Sequence, residues 1–284
     1  MDYIKISEDL KPYKLLFNPH KRRKKEEEFL SQKRFKDLAL KNGFYKNGSP
    51  VFPEYKSNSW GFRSNEFVNT NESFIALGDS NTYGAYQHEN RTWPFYLSKL
   101  IKREYFNLGV PGASIAQCYR VLKDHIDKIN PSEVFFLIPS LEREYTWIYD
   151  NFYDYDTSDF GSKFSENPKM IENFPMDFNK LMDIIEIDKI MNVKNMELNL
   201  FKYLDAIENL CFTKNCELRY ILNPSANHRT YFFTPEIRFD DSYAIDGKHA
   251  GHLYQERIAK YFFNKKDLQF NKLYAEKEFV QNYI

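Results

Sequence analysis

The chain has 284 residues, and its 40 Lys and Arg balance its 40 Asp and Glu. At roughly 100–200 residues per domain, that length fits one large domain with extensions, able to build a core without disulfide staples. Zero net charge excludes the basic excess of a nucleic-acid coat, and 26 Phe with 21 Tyr give too much buriable area for a disordered chain.

Residues 1–72 read as a polar, aromatic-rich N-terminal extension packing on a core, with one helix from about Glu26 to Lys41. Its basic run from His20 to Lys25 is followed by Glu26-Glu27-Glu28 and reads as a solvated helical face. Lys46-Asn47-Gly48-Ser49-Pro50 is a turn cluster. From Ser73 the pattern changes. Ser73 to Leu77 is a short apolar run closed by Gly78-Asp79-Ser80, a buried strand ending in a tight turn.

Thr92 caps a helical pattern in which Trp93, Tyr96, Leu97, Leu100 and Ile101 share a face. A second strand, Tyr105 to Val110, ends at Pro111-Gly112. Ser114 caps the next helix, which Asn130-Pro131 stops. Glu133 to Ser140 is a third strand, apolar enough to be covered on both faces. Residues 143–194, dense in Tyr, Phe, Asp and Asn without clear periodicity, read as a surface insertion. Helix returns at about Met196 to Cys211, strand at Glu217 to Leu222, and helix from about Gly251 to Asn264. Strands alternating with helices predict an α/β three-layer sandwich with a mostly parallel central sheet over residues 73–284.

The longest fully apolar stretch, Val134 to Ile138, is far too short to cross a bilayer. Met1-Asp2-Tyr3-Ile4-Lys5 has no signal pattern. Cys118, Cys211 and Cys216 lack metal-site spacing and fit reduced thiols. The expected location is therefore cytoplasmic, with no membrane and no nucleic-acid partner. The histidines lack i, i+4 pairing and no phosphate loop is present, so neither metal nor cofactor is expected.

In an open parallel sheet, ligands bind beyond the carboxyl ends of the strands. There the chain places Gly78-Asp79-Ser80-Asn81-Thr82-Tyr83-Gly84, Gly109-Val110-Pro111-Gly112 and Pro139-Ser140, and its last loop carries Asp246-Gly247-Lys248-His249. A serine hydroxyl needs an adjacent base to act as a nucleophile. His249 can supply one for Ser80, and Asp246, three residues earlier, can reach the other ring nitrogen; taken alone, His249 also reads as a helix-capping or surface histidine. His252 is the fallback base. His20, His88, His125 and His228 have no comparable setting.

Three blocks, Gly78-Asp79-Ser80 with Thr82 and Gly84, Asn107 to Ser114, and Asp246-x-x-His249, resemble in order those of SGNH (GDSL-type) hydrolases. The resemblance covers about Phe74 to Phe262. It implies the flavodoxin-like fold of that family and an acyl-enzyme esterase with Ser80, Asp246 and His249 as triad. It also implies an oxyanion hole from the amides of Ser80 and Gly112. The family's third donor, an Asn after the third strand, is missing from Pro139-Ser140-Leu141-Glu142-Arg143, and Ser140 or Arg143 stands nearest to replace it. Asp79, Arg143, Asn223 and Arg229, all at strand ends, are read as substrate contacts.

Asn58-Ser59-Trp60-Gly61-Phe62-Arg63 resembles a lead-in found in some of these proteins; equally, it reads as a turn with Trp60 and Phe62 in the core. The aromatic insertion, with Trp147, Tyr149, Phe152 and Tyr153, suits stacking on sugar rings or a packed lid. The expected substrate is a small ester, carbohydrate O-acetyl groups being the first choice. An O-acyltransferase on the same triad and a non-catalytic carbohydrate-binding module are the alternatives. Retention of the full Ser, Asp and His set argues against the last.

Overall fold

The computed structural model describes residues 19–139, 143–148, 151–156, 198–222, 244–246 and 249–264. The first elements are helices α1 (Pro19–Ser31) and α2 (Lys33–Lys41) and a small antiparallel pair, β1 (Tyr45–Lys46) and β2 (Ser49–Pro50). The sequence predicts one helix here; the structure breaks it at Gln32, which is extended (φ −89°, ψ 127°). Beside the break the Ser31 hydroxyl donates to the Glu28 carbonyl at 2.6 Å, a local bond that competes with helix continuation. The turn brings the Phe29 and Phe35 rings to 5.3 Å.

The sheet begins with β3 (Ser73–Gly78), followed by the one-turn helix α3 (Ser80–Tyr83), α4 (Trp93–Ile101), β4 (Glu104–Gly109), α5 (Ile115–Ile129) and β5 (Glu133–Ile138). An antiparallel hairpin of β6 (Arg143–Ile148) and β7 (Asn151–Asp156) comes next, in a stretch where the sequence shows no clear periodicity. Helix α6 is seen over residues 198–213, then β8 (Glu217–Leu222) and α7 (His252–Asn264). Strands β4, β3, β5 and β8 lie side by side in that order, all parallel. This is the doubly wound order in which the first strand sits inside the second.

Successive strand residues point to opposite faces, and that alternation makes the three layers. Ile75, Leu77, Phe106, Leu108, Val134 and Phe136 pack under α5 and α6. Phe74, Ala76, Phe135 and Leu137 pack under Trp93 and Leu97 of α4 and Tyr254, Ile258 and Phe262 of α7. Each fully buried aliphatic or aromatic side chain contributes about 1.5–3 kcal/mol. Ser114 caps α5, its Oγ accepting from the Gln117 amide at 3.3 Å, and Asn130 closes it in the left-handed region. Thr92 stands at the N-cap of α4 but does not cap it; its hydroxyl donates to the Glu89 carbonyl. Leu100, predicted on the buried face, is exposed. Among the described residues no helix is long and apolar enough to cross a membrane.

Arg63, Ser64 and Thr70, just before β3, hydrogen-bond to the Gly84 carbonyl, the Asn107 amide and the Ile129 carbonyl. Asn58 Oδ1 accepts from the amides of Trp60 at 3.1 Å and Phe62 at 3.0 Å, which forms the turn of the lead-in motif. Phe62 is fully buried, and the rings of Trp60, Phe62 and Phe67 surround the buried His125 of α5 at 5.2–5.3 Å. A third apolar cluster joins Ala39 and Phe44 to Tyr83, Ala85, Tyr86, Ala244 and Ile245.

His88 lies face to face with Phe44 (centroids 5.4 Å, planes 21° apart). Burial, then the Arg91 and Arg63 cations, lowers its pKa from 6.5 to about 4. The unfolded chain takes up this proton near pH 6.5 and the folded chain only near pH 4. The neutral ring's contribution to stability is therefore whole above pH 6.5 and is lost as pH falls toward 4. Thermal melts across that window are expected to show a falling Tm whose slope is shallower in His88→Phe. An identical slope in the variant would clear His88 of the effect.

Candidate active site

The carboxyl end of β3 turns sharply into α3. Asp79 is the N-cap, its Oδ1 accepting from the Asn81 amide at 2.9 Å. Ser80 follows as the first helical residue, where an amide has no intrahelical acceptor. The turn ends at Gly84, in the left-handed region. Ser80 is 5% exposed and its neighbours Asp79, Asn81 and Thr82 are buried too, so most of their polar groups find partners within the protein. Asn107 of β4 supplies two: its Nδ2 donates to the Thr82 carbonyl at 2.8 Å and its Oδ1 accepts from the Gly109 amide at 2.9 Å.

From the other side comes the loop before α7. The buried Asp246 carboxylate (2% exposed) accepts from the His249 amide through Oδ1 at 3.0 Å and meets His249 Nδ1 through Oδ2 at 2.5 Å. His249 Nε2 stands 3.0 Å from Ser80 Oγ. Because an ionised carboxylate only accepts, the proton on Nδ1 is the one it holds, which leaves the Nε2 lone pair facing the serine hydroxyl. Asn81 ties the two loops together, its Oδ1 accepting from the Ala250 amide at 3.3 Å and its carbonyl from Gln255 Nε2 at 3.1 Å. Gln255 Oε1 in turn accepts from the Trp93 amide at 2.8 Å. A hydroxyl, a base and a buried acid so aligned can generate a nucleophile at neutral pH.

The structure thus brings Ser80, His249 and Asp246 into one chain of contacts, and of His249 before α7 and His252 at its start it is His249 that meets Ser80. Gly112 is in the left-handed region (φ 84°), with open space where a Cβ would stand. Among the described residues the amides of Ser80 and Gly112 have no hydrogen-bond acceptor. The Asp79 carboxylate is engaged in the helix cap, which a substrate contact would have to share. Arg143 opens β6, with Asp156 as its register partner. Ser140, Asn223 and Arg229 lie outside the described residues. Among the described residues no three His, Cys, Asp or Glu side chains could hold a metal ion.

Sequence reasoning missed Asn81, Asn107 and Gln255 as parts of this site. Asn107 at least opens the second block. Gln255, a lone buried amide on an otherwise apolar helix face, carries no local mark.

No family model matches the chain, and no curated protein does. Solved structures do. A psychrotrophic esterase from Pseudoalteromonas is 14% identical with a TM-score of 0.39, over 68% of this chain and 95% of that one. A lipolytic protein of the G-D-S-L family from Desulfitobacterium hafniense is 13% identical with a TM-score of 0.32, over 67% and 97%. A catalytic mutant of an acetylxylan esterase from Geobacillus stearothermophilus is 13% identical with a TM-score of 0.29, over 72% and 97%. The structural neighbours are thus G-D-S-L lipolytic proteins and esterases. At this distance they carry no conclusion about chemistry, which belongs to the geometry of Ser80, His249 and Asp246.

Gly109 lets α3 approach β4. A Cβ there would overlap the Tyr83 amide nitrogen and stand 2.7 Å from the Thr82 carbonyl carbon, both backbone atoms with nowhere to go. Gly109→Ala is expected to lower the unfolding free energy by about 1–3 kcal/mol, read by guanidinium denaturation. Wild-type stability in the variant would mean that α3 does not press on β4 in this way.

Proposed function

We propose that the chain is a serine ester hydrolase of the SGNH type. The observation that carries this is the contact chain from Ser80 Oγ through His249 to the buried Asp246. In this reading His249 Nε2 takes the Ser80 proton as Oγ attacks the ester carbonyl, while Asp246 keeps the ring oriented and stabilises the imidazolium. The amides of Ser80 and Gly112 receive the oxyanion. His249 returns the proton to the departing alcohol, and water, activated by the same nitrogen, then frees Ser80 of its acyl group. No Asn follows the third sheet strand, so the side-chain donor of the family pattern is absent; one missing donor slows turnover by about a hundred- to thousandfold. Ser140 and Arg143 stand nearest in sequence to replace it.

The substrate we assign is a small ester, acetyl on a carbohydrate first. The aromatic hairpin, in which Trp147 and Phe152 are register partners, supports a sugar as the alcohol. All three cysteines are buried thiols outside any disulfide, which fits the reducing cytoplasm.

Intact-mass labelling with a fluorophosphonate tests the reading whatever the natural substrate. Wild type is expected to gain one adduct, Ser80→Ala and His249→Ala none, and Asp246→Asn to react about 10⁴-fold more slowly. Folded wild-type protein that takes up no probe would sink the proposal.

A further inference from the structure

We propose that Tyr86 is a positioning residue for His249, and that the segment before the sheet holds it in place and so is a working part of the site. The proposal rests on the ester-hydrolase reading above. Tyr86 has φ 59°, a left-handed conformation expected of Gly or Asn and a genuine outlier for a bulky aromatic residue. A corner alone does not need a ring. This ring is 6% exposed and lies against the His249 imidazole, centroids 5.4 Å apart and planes at 45°. With Asp246 on Nδ1 and Ser80 on Nε2, the Tyr86 ring bounds the one remaining motion of the imidazole, out of its own plane.

Strained conformations persist where surrounding groups over-determine them, and here such groups surround the corner. The Tyr86 amide donates to Tyr55 Oη at 3.0 Å, and Tyr55 Oη donates to Glu26 Oε1 at 2.6 Å. The Tyr86 carbonyl accepts from the Ile245 amide at 3.3 Å, next to Asp246. The Arg63 guanidinium brackets the corner, donating to the carbonyls of Gly84 at 2.7 Å and Gln87 at 2.9 Å, with a third bond to the Glu54 carbonyl at 2.6 Å. The Phe29 ring meets that of Tyr86 at 5.5 Å. Glu26, Phe29, Tyr55 and Arg63 all precede the sheet, whereas Ile245 belongs to the acid–base loop. Tyr86 is where the two meet.

The test uses the full chain with Tyr86→Gly, Tyr86→Phe and Tyr55→Phe. Glycine takes the left-handed corner without strain, so Tyr86→Gly removes the ring and leaves the backbone its conformation. Its fluorophosphonate labelling, per folded molecule, is expected to slow about ten- to hundredfold. Tyr86→Phe restores the rate to within about threefold of wild type, and Tyr55→Phe falls between. In parallel, NMR of the His249 ring protons reports the contact directly. They are expected to shift in Tyr86→Gly, which loses the neighbouring ring current, and to return in Tyr86→Phe. Wild-type labelling and wild-type His249 resonances in Tyr86→Gly would overturn the proposal while leaving the esterase reading intact. If wild type takes up no probe, the esterase reading falls and the NMR comparison alone decides whether Tyr86 holds the imidazole.

Discussion

Everything near the site depends on one constraint: a polar turn buried at the end of β3 has to satisfy its own hydrogen bonds. Asp79, Ser80, Asn81 and Thr82 lie beneath the surface, where an unmatched donor or acceptor costs about 1–3 kcal/mol. Asp79 caps the turn from within. The other partners come from four separate places: Asn107 in β4, Trp93 in α4, Gln255 in α7 and the Ala250 amide. Each partner is also a packing contact, so the site is fixed by the same bonds that join the sheet to its helices. This is why the serine and histidine, 169 residues apart in sequence, meet at hydrogen-bond distance on elements that are themselves immobilised.

The segment before the sheet extends that logic to charge. Arg63 is 1% exposed, and among the described residues no carboxylate pairs with it. Burying a lone cation is costly unless its donors are matched. Three backbone carbonyls match Nη1 and Nη2 while Nε has no hydrogen-bond partner among the described residues, and the Tyr55 and Tyr83 rings, 4.6 and 5.9 Å from the guanidinium carbon, offer the cation their faces. The arrangement fixes the shape of the Gly84–Gln87 corner. A lysine could not make the same set of bonds, because it lacks the planar fork that reaches several acceptors at once.

Much of this was legible in the sequence, for physical reasons that differ by element. Strands β3 and β5 are continuous apolar runs closed by Gly or Pro, and β8 was placed to the residue at Glu217–Leu222. Helix α5 carries its own signals, Ser114 before it and Asn130 after it. Asp246 and His249 were legible together because three residues of one loop suffice to join them. The hairpin β6–β7 was not, since Arg-Glu-Tyr-Thr-Trp-Ile and Asn-Phe-Tyr-Asp-Tyr-Asp mix charged, polar and aromatic residues without a clean polar–apolar alternation. The break at Gln32 was hidden because good helix formers stand on both sides of it. The structural roles of Asn81, Gln255 and Arg63 were invisible for a deeper reason. A lone amide or guanidinium becomes structural through a partner tens or hundreds of residues away, and no local spacing records that partner.

Asn107 shows how the two loops that meet at Ser80 are held together. Both ends of its amide are engaged, one on the Thr82 carbonyl and the other on the Gly109 amide, so it serves as a brace and not as a replacement donor. What it braces is the pair of loops that carry the amides of Ser80 and Gly112. One loop leaves β3 and the other leaves β4, strands whose terminal residues Gly78 and Gly109 are in register, and the Val110 amide returns to the Gly78 carbonyl at 3.0 Å. On the proposed mechanism the amides of Ser80 and Gly112 work to the extent that they keep a fixed separation, because preorganised dipoles need no reorganisation as charge develops. The register aligns the strand ends from which the two loops leave, and the Asn107 amide ties the first loop to β4.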